Sequence, residues 1–214
     1  MGKIVIFEGL DNCGKTTNIN KLYNYWAECN ISSHKIHYSG MKISSNIKAQ
    51  EVSMKMYEEM FRLFENFYNC NISLIVDRSH LGENVYSHYR NYSPSYIWSL
   101  EEKYYTSSFW NNLYLIYLKD NNLENVLKRE DGKSFSTKIE DKIFERDKFD
   151  EAVYRSKIKH KKIIDINNKS KEEVFNDVLA GIQEQNNFQK YKLCIEDLKN
   201  NNENNYLEIL KKYF

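Results

Sequence analysis

The chain has 214 residues and carries 31 Lys and Arg against 30 Asp and Glu, a formal net charge of +1. This length suits one buried core rather than two, so we expect a single domain. A near-neutral chain lacks the basic character of a dedicated nucleic-acid binder, and no apolar run approaches the ~20 residues that cross a bilayer. The four cysteines show no spacing typical of a zinc site, and no charged-then-apolar leader precedes the first apolar run. We therefore expect a reduced, soluble, cytoplasmic protein without a membrane or nucleic-acid partner.

Apolar runs of strand length alternate with amphipathic stretches along the chain. Continuous apolar runs are typical of strands that are covered on both faces, and they predict strands at residues 4–7, 34–38, 73–76, 113–118 and 162–166. Between the strands, apolar residues recur every three or four positions, as in Ile19, Leu22 and Trp26, which predicts helices. Ser93-Pro94 predicts the N-cap and first residue of a later helix. This order predicts the α/β class, a three-layer fold with about five parallel strands and helices on both faces.

Two segments interrupt this alternation. Residues 127–138, LKREDGKSFSTK, form a charged, glycine-containing stretch, which is typical of a mobile flap, and we expect a lid here. Residues 183–214 alternate Asn-rich stretches with apolar pairs, for which we expect one or two helices packed on the surface, with disorder as the alternative. The expected organisation is one domain over residues 1–182 followed by this helical C-terminal extension.

The segment between the first strand and the first helix matches the Walker A pattern, Gly9-x-x-x-x-Gly14-Lys15-Thr16. Its glycines let backbone N–H groups face a phosphate, and the N-terminus of the following helix adds positive charge. Lys15 supplies a cation to the β- and γ-phosphates, and Thr16 offers a hydroxyl to Mg²⁺. Binding of ATP or GTP is therefore expected. The predicted nucleotide contacts are Gly9, Asn12, Cys13, Gly14, Lys15, Thr16 and Thr17.

A second informative stretch, LIVDRSHLGENVYSHYR, covers residues 74–90. Asp77 closes the third predicted strand, a position where a carboxylate holds Mg²⁺ directly or through water. Arg78 follows it, and a guanidinium can bind an anionic acceptor through two parallel hydrogen bonds. A structural ion pair with Asp77 or a nearby Glu is the alternative role for Arg78.

The stretches FEGLDNCGKTT and VDRSHLGENVYS together resemble the thymidylate kinase family and its phage-type deoxynucleoside monophosphate kinases. The resemblance implies a P-loop kinase fold, ATP and Mg²⁺ as cofactors, a small-molecule nucleotide as acceptor, and a homodimer. Glu8 and Asp11 match the family's loop pattern, and Asp11 is implied to meet the 3′-hydroxyl of the acceptor. Arg78 is implied to bind the acceptor's 5′-phosphate, with Tyr86 against its deoxyribose. The DRSHLGE stretch also suggests a phage or viral origin.

The chain departs from the family pattern in its loop and in its base-reading helix. Asn12 stands where some members carry an arginine, and members without it bring an arginine from the lid, which implies Arg129 as the catalytic cation. A solvated charged loop is the alternative interpretation of that segment. The family reads thymine with a Phe and an Arg on the helix before the Asp-Arg strand, and here Tyr57, Phe61, Arg62 and Phe64 offer no clear register. Aromatic residues at this spacing are also typical of a core, so the base remains open, with Tyr57 and Glu83 as expected acceptor contacts.

The motifs and the resemblance together imply a kinase that transfers phosphate from ATP to a deoxynucleoside monophosphate, with dTMP first and dUMP second. Lys15, Arg78 and Arg129 are the predicted catalytic residues, and Thr16 and Asp77 are the predicted metal contacts. The nearest alternative is a deoxynucleoside kinase, which phosphorylates a hydroxyl and benefits from a general base. Such enzymes carry a Glu just after the second strand, where this chain reads HKIHYSGMKIS, so Glu8 or Glu83 would have to substitute.

Three further classes are disfavoured. A GTPase switch needs Asn-Lys-x-Asp to read guanine, and the nearest stretch, NNKSK at residues 167–171, lacks the Asp. A nucleic-acid ATPase is expected to be basic, unlike this chain. A catalytically inactive binding module would have no need to retain Lys15, Thr16, Asp77 and Arg78 together.

Overall fold

The structure is a computed structural model that describes residues 2–39, 46–130, 132, 134, 136–200 and 212. The lid prediction at positions 131, 133 and 135 therefore lies outside the described residues, as does the tail prediction beyond residue 200, Lys212 aside. No helix within the described ranges is both long and apolar enough to span a membrane.

Among the described residues, five parallel strands form one sheet in the order β2-β3-β1-β4-β5. The strands are β1 (Ile4–Glu8), β2 (Ser33–His37), β3 (Ser73–Asp77), β4 (Leu113–Lys119) and β5 (His160–Asp165). Each predicted strand is confirmed, with ends that differ by at most two residues. The three inner strands β1, β3 and β4 are buried along almost their whole length, whereas the edge strand β2 is partly exposed. The continuous apolar runs therefore mark the inner strands, because only these are covered on both faces.

Helices connect the strands and cover the sheet. They are α1 (Lys15–Glu28), α2 (Asn46–Asn69), α3 (Gly82–Tyr86), α4 (Tyr96–Tyr104), α5 (Leu123–Lys128), α6 (Ile139–Arg155), α7 (Lys171–Gly181) and α8 (Gln185–Asn200). Two 3₁₀ turns, His88–Arg90 and Ser108–Asn112, lie between them. Helix α1 packs with α7, α2 packs with α4, and α3 packs with α6. The predicted three-layer α/β architecture is confirmed.

Two aromatic residues of α2 pack in the core, and an arginine between them lies at the surface. Phe61 is fully buried, and its ring stacks on Tyr104 with centroids 5.0 Å apart. Phe64 is also fully buried and meets Phe109 edge to face. Arg62 instead pairs with two glutamates at the surface. Phe61 and Phe64 therefore pack in the core, as their helical spacing allowed.

The predicted start of α4 at Ser93-Pro94 is wrong by two residues. Helix α4 begins at Tyr96, although the Ser93 hydroxyl accepts the Ser95 N–H at 3.4 Å. The carbonyl of Pro94 accepts the Ile97 N–H at 3.0 Å, which closes an i to i+3 turn. The chain thus enters α4 through one tight turn, and the regular α-helical pattern starts after it.

The first part of the tail is helical. Phe188 of α8 meets Tyr25 of α1 edge to face at 5.0 Å and Phe175 of α7 at 5.5 Å. Tyr191 donates a hydrogen bond to Glu28 at the end of α1. Helix α8 is thereby attached to the pair formed by α1 and α7.

Candidate active site

A cavity of about 650 Å³ opens where β1 and β3 end and α1 begins. This edge of an open parallel sheet is where ligands bind in α/β folds. Its lining comprises Asp11, Asn12, Cys13, Gly14, Lys15, Thr16, Thr17, Asn18, His37, Asp77, Arg78, Arg129, Ile166, Lys169, Lys171 and Val174. All predicted nucleotide contacts except Gly9 are in this set, together with both predicted metal contacts and all three predicted catalytic residues.

The glycines of the Walker A loop occupy backbone conformations that other residues rarely adopt. Gly9 has φ +140°, and a Cβ built on it would lie 2.1 Å from the carbonyl oxygen of Leu118. Gly14, the N-cap of α1, has φ +78°. Asn12 has φ +63°, a left-handed conformation that Asn tolerates better than most residues. The loop therefore turns sharply between β1 and α1 while its first glycine lies directly against β4.

Lys15 is held within the loop that carries it. Its Nζ donates hydrogen bonds to the carbonyl oxygens of Gly9 at 2.9 Å and Leu10 at 2.7 Å. An ammonium has three N–H donors, so one remains for a further acceptor. Burial lowers the pKa of Lys15, and the nearby positive charge of Arg78 lowers it further. These surroundings therefore disfavour the charged form of Lys15, and a phosphate oxygen beside the ammonium would stabilise it.

Asp77 ends β3 and faces the cavity. Its Oδ2 lies 3.0 Å from Nδ1 of His37, and its Oδ1 is buried with no hydrogen-bond partner among the described residues. The exposed Thr16 lines the same cavity. Mg²⁺ prefers oxygen ligands and usually combines one or two carboxylates with water and substrate phosphates. The oxygens of Asp77 and Thr16 fit that ion.

Arg78 directs its side chain toward the Walker A loop. Its φ of +70° is unusual for a residue with a side chain and marks a strained turn directly after β3. The guanidinium forms an ion pair with Asp11 and lies 5.9 Å from the ring centre of Tyr86. Burial raises the pKa of Asp11, but the charges of Arg78 and Lys15 and the hydrogen bond from Arg78 together outweigh this, so the pKa of Asp11 lies below its ordinary value. Arg78 therefore pairs with a residue of the predicted site and not with Asp77 or a glutamate.

Two buried glutamates lie close to this turn, and both are hydrogen-bonded. Oε1 of Glu8 accepts the N–H and the hydroxyl of Ser79, each at 2.6 Å, while Oε2 has no partner among the described residues. Burial raises the pKa of Glu8. Glu83 accepts hydrogen bonds from Arg90 at 2.9 Å and from the hydroxyl of Tyr92 at 2.6 Å. Neither carboxylate is a freely accessible base.

Tyr57 of α2 is buried beside these groups. Burial raises the pKa of its hydroxyl well above the ordinary value, and the negative charge of Glu83 adds to the effect. Tyr86, eight residues after Arg78 at the end of α3, packs its ring edge to face against Phe149 of α6. Of the predicted acceptor contacts, Tyr86 thus lies next to Arg78, whereas Tyr57, Glu83 and Tyr86 are not among the residues that line the cavity.

Arg129 follows α5 at the rim of the cavity. Its guanidinium pairs with the buried Asp120 at 2.5 Å, and its Nε donates to the carbonyl oxygen of Asn125 at 2.9 Å. These contacts hold a half-exposed cation on the cavity wall, at the start of the predicted lid.

One wall of the cavity was not predicted from the sequence. This wall lies between the end of β5 and the first turns of α7, and it comprises Ile166, Lys169, Lys171 and Val174. In the sequence, this segment was considered only as an incomplete guanine-binding motif at residues 167–171. The predicted parallel sheet could have indicated this wall, because in such a sheet the loop after β5 lies at the same edge as the loops after β1 and β3.

A buried ion pair was also missed. Nζ of Lys142 lies 3.1 Å from Oε2 of Glu145, and both side chains are almost fully buried on α6. The hydroxyl of Tyr89 donates to the other oxygen of Glu145 at 3.2 Å. Burial raises the pKa of Glu145. The charges fall at positions 142 and 145 of a helix that carries many other charged residues, so the sequence does not distinguish this pair from the exposed ones.

The sheet order, the Walker A loop and the Asp-Arg turn together define a P-loop kinase fold of the thymidylate kinase type, as the sequence predicted. A thymidylate kinase from Candida albicans is 16% identical, with a TM-score of 0.58 over 85% of this chain and 91% of its own. A thymidylate kinase from Ehrlichia chaffeensis is also 16% identical, with a TM-score of 0.58 over 84% of this chain and 97% of its own. The YorR protein of Bacillus subtilis, in complex with phosphorylated GDP, is 20% identical, with a TM-score of 0.54 over 84% of this chain and 95% of its own. No protein-family model and no curated protein sequence matches the chain.

Proposed function

We propose that this protein is a nucleoside monophosphate kinase that transfers the γ-phosphoryl group of ATP to a deoxynucleoside monophosphate, with dTMP as the first candidate acceptor and dUMP as the second. The observation that carries the proposal is the position of Arg78. Its guanidinium lies at the wall of the phosphate cavity, paired with Asp11 of the Walker A loop. A cation that is fixed beside the donor loop is suited to bind the phosphate of a second nucleotide. Two of the similar structures are thymidylate kinases, and the third holds a nucleotide, which supports this class of substrate.

On this proposal the donor phosphates bind the Walker A loop, where Lys15 and the backbone N–H groups at the start of α1 face them. Mg²⁺, when bound by Thr16 and Asp77, neutralises charge on the donor phosphates. Arg78 holds the acceptor phosphate in line with the donor. Phosphoryl transfer needs mainly positioning and neutralisation of charge, which these groups supply.

The acceptor sugar and base would occupy the other side of Arg78. Asp11 accepts a hydrogen bond from the sugar 3′-hydroxyl, and Tyr86 lies against the deoxyribose ring. Tyr57 and Glu83 form the base side of the pocket, with the buried Glu8 supporting the turn through Ser79. We further propose that residues 1–182 form the kinase domain and that residues 127–138 act as its lid, which carries Arg129 to the transferred phosphate. Residues 183–214 then form a helical extension, and the resemblance implies a homodimer.

A phosphate nucleophile is already ionised at neutral pH, so the proposed reaction needs no general base. A deoxynucleoside kinase would need one, and Glu8 and Glu83 were the two candidates. Both are buried and hydrogen-bonded. This supports a monophosphate acceptor over a nucleoside.

The test is an ADP-release assay with ATP and Mg²⁺ that offers dTMP, dUMP, dGMP, dCMP and dAMP beside the five deoxynucleosides. Arg78→Ala is the diagnostic variant, and Arg62→Ala is the matched control because Arg62 lies at the surface, where it pairs with Glu58 and Glu59. We expect turnover with monophosphates alone. Arg78→Ala should lower kcat/KM by about 100-fold, since removing one charge-assisted anchor from a buried pair costs roughly 2–3 kcal/mol, while Arg62→Ala stays near wild type. Turnover with nucleosides alone, or full activity in Arg78→Ala, would refute the proposal.

A further inference from the structure

His37 sits at the carboxyl end of β2, directly opposite Asp77 in the ladder between β2 and β3. Its Nδ1 lies 3.0 Å from Oδ2 of Asp77, and both side chains line the phosphate cavity. A carboxylate oxygen accepts hydrogen bonds, so Nδ1 is the nitrogen that donates. The sheet register therefore fixes one oxygen of Asp77 through an imidazole on the neighbouring strand.

The second oxygen of Asp77 is left without a partner. Oδ1 is covered from solvent and forms no hydrogen bond with any described residue. A buried carboxylate oxygen without a hydrogen bond destabilises the folded protein. A cation, or a water molecule bound to a cation, would supply the missing interaction. Because His37 occupies Oδ2, Oδ1 is the oxygen that is free for a metal ion.

We propose that His37 is a positioning residue, which holds the Asp77 carboxylate so that Oδ1 is presented to the divalent cation that accompanies the nucleotide. This inference rests on the proposed function, because it takes Asp77 as a metal contact. A carboxylate with both oxygens free rotates about its terminal bond, and fixing one of them removes that freedom before the metal arrives. Hydrogen-bond partners of metal ligands typically change metal affinity by about 10- to 100-fold when they are removed.

A purely structural role for this contact predicts a different outcome. The side chain of His37 is 54% exposed and lies on an edge strand, so its truncation leaves no cavity in the core. If the contact is purely structural, His37→Ala should therefore change the free energy of unfolding only slightly and should leave the metal affinity unchanged. His34 provides the matched control, because it lies on the same strand and stacks on Phe67, without a contact to Asp77.

The experiment uses the full chain with saturating ADP and measures Mn²⁺ affinity from the electron paramagnetic resonance signal of free Mn²⁺. We expect His37→Ala to weaken Mn²⁺ binding by about 10- to 100-fold, with the affinity for metal-free ADP unchanged. His37→Asn should restore binding to within a few-fold, since its amide N–H can replace Nδ1. His34→Ala should match wild type. Wild-type Mn²⁺ affinity in His37→Ala, or no Mn²⁺ binding by the wild-type protein, would overturn the proposal.

Two further comparisons keep the result decisive. If His37→Ala does not fold, His37→Asn is compared with His37→Gln, whose donor lies one bond too far away. The proposal requires tighter Mn²⁺ binding by the Asn variant, and equal affinities contradict it. Turnover of monophosphates is measured in parallel. Metal binding that depends on His37 without any turnover would refute the kinase and keep the positioning role, whereas turnover without that dependence would refute the positioning role alone.

Discussion

Replacing Gly9 with alanine should destabilise the protein far more than the same change at Gly14. Both residues have positive φ, and placing an L-residue in a left-handed conformation costs roughly 1–2 kcal/mol. At Gly14 the new Cβ would meet nothing closer than the side chain of Asn18 at 3.7 Å, so that conformational cost is the whole effect. At Gly9 it would lie 2.1 Å from the backbone oxygen of Leu118, which cannot move without displacing β4. Such overpacking adds roughly 1–3 kcal/mol, for a total of about 2–5 kcal/mol.

Urea unfolding of wild type, Gly9→Ala and Gly14→Ala, followed by far-UV circular dichroism, measures these differences in the free energy of unfolding. With roughly 2–4 °C lost per kcal/mol in a chain of this size, Gly9→Ala should also unfold about 4–20 °C below wild type. Equal destabilisation of the two variants would show that the close approach of the loop to β4 does not constrain the fold.

The remaining predictions concern Glu8 and Arg129. Burial raises the pKa of Glu8 in the folded state above its ordinary value of 4.5, so the folded protein favours the protonated form. That stabilisation is complete below the unfolded pKa and is lost as pH rises through the folded pKa. Glu8→Gln, which stays neutral, should therefore gain in free energy of unfolding relative to wild type as pH rises from 4.5, and a pH-independent difference would contradict this. If Arg129 acts as proposed, on the transferred phosphate in the transition state, Arg129→Ala should lower kcat by about 10³-fold or more with little change in the KM for ATP. Lys128→Ala, at an exposed neighbour, is the control, and equal kcat values in the two variants would refute the role of Arg129.

The local features of this fold were predictable from the sequence because they depend on short stretches. Apolar runs identified the inner strands, and the spacing of Gly9, Gly14 and Lys15 identified the loop between β1 and α1. The start of α4 was misplaced because Pro94 opens a tight turn first, a choice that the Ser-Pro pair does not determine.

The pairings within the candidate site were not predictable in the same way. Arg78 and Asp11 are 67 positions apart, and His37 and Asp77 are 40 positions apart. Each pair depends on which strands are neighbours and in what register, and the sequence pattern does not specify this. The attachment of Arg129 to the buried Asp120 likewise arises from the ends of two different elements, and a charged loop in the sequence does not indicate it.

The adjacency of β1 and β3 sets a fixed distance in the candidate site. The Walker A loop leaves β1, and Arg78 leaves β3, and the two strands are hydrogen-bonded neighbours whose last paired residues are Phe7 and Asp77. Parallel neighbours are spaced at about 4.8 Å by their backbone hydrogen bonds, whatever side chains they carry. The backbone ladder therefore fixes the separation of the Walker A loop and Arg78. On the proposed function, substitutions in the surrounding helices would change which acceptor binds without changing the distance between the donor and acceptor phosphates.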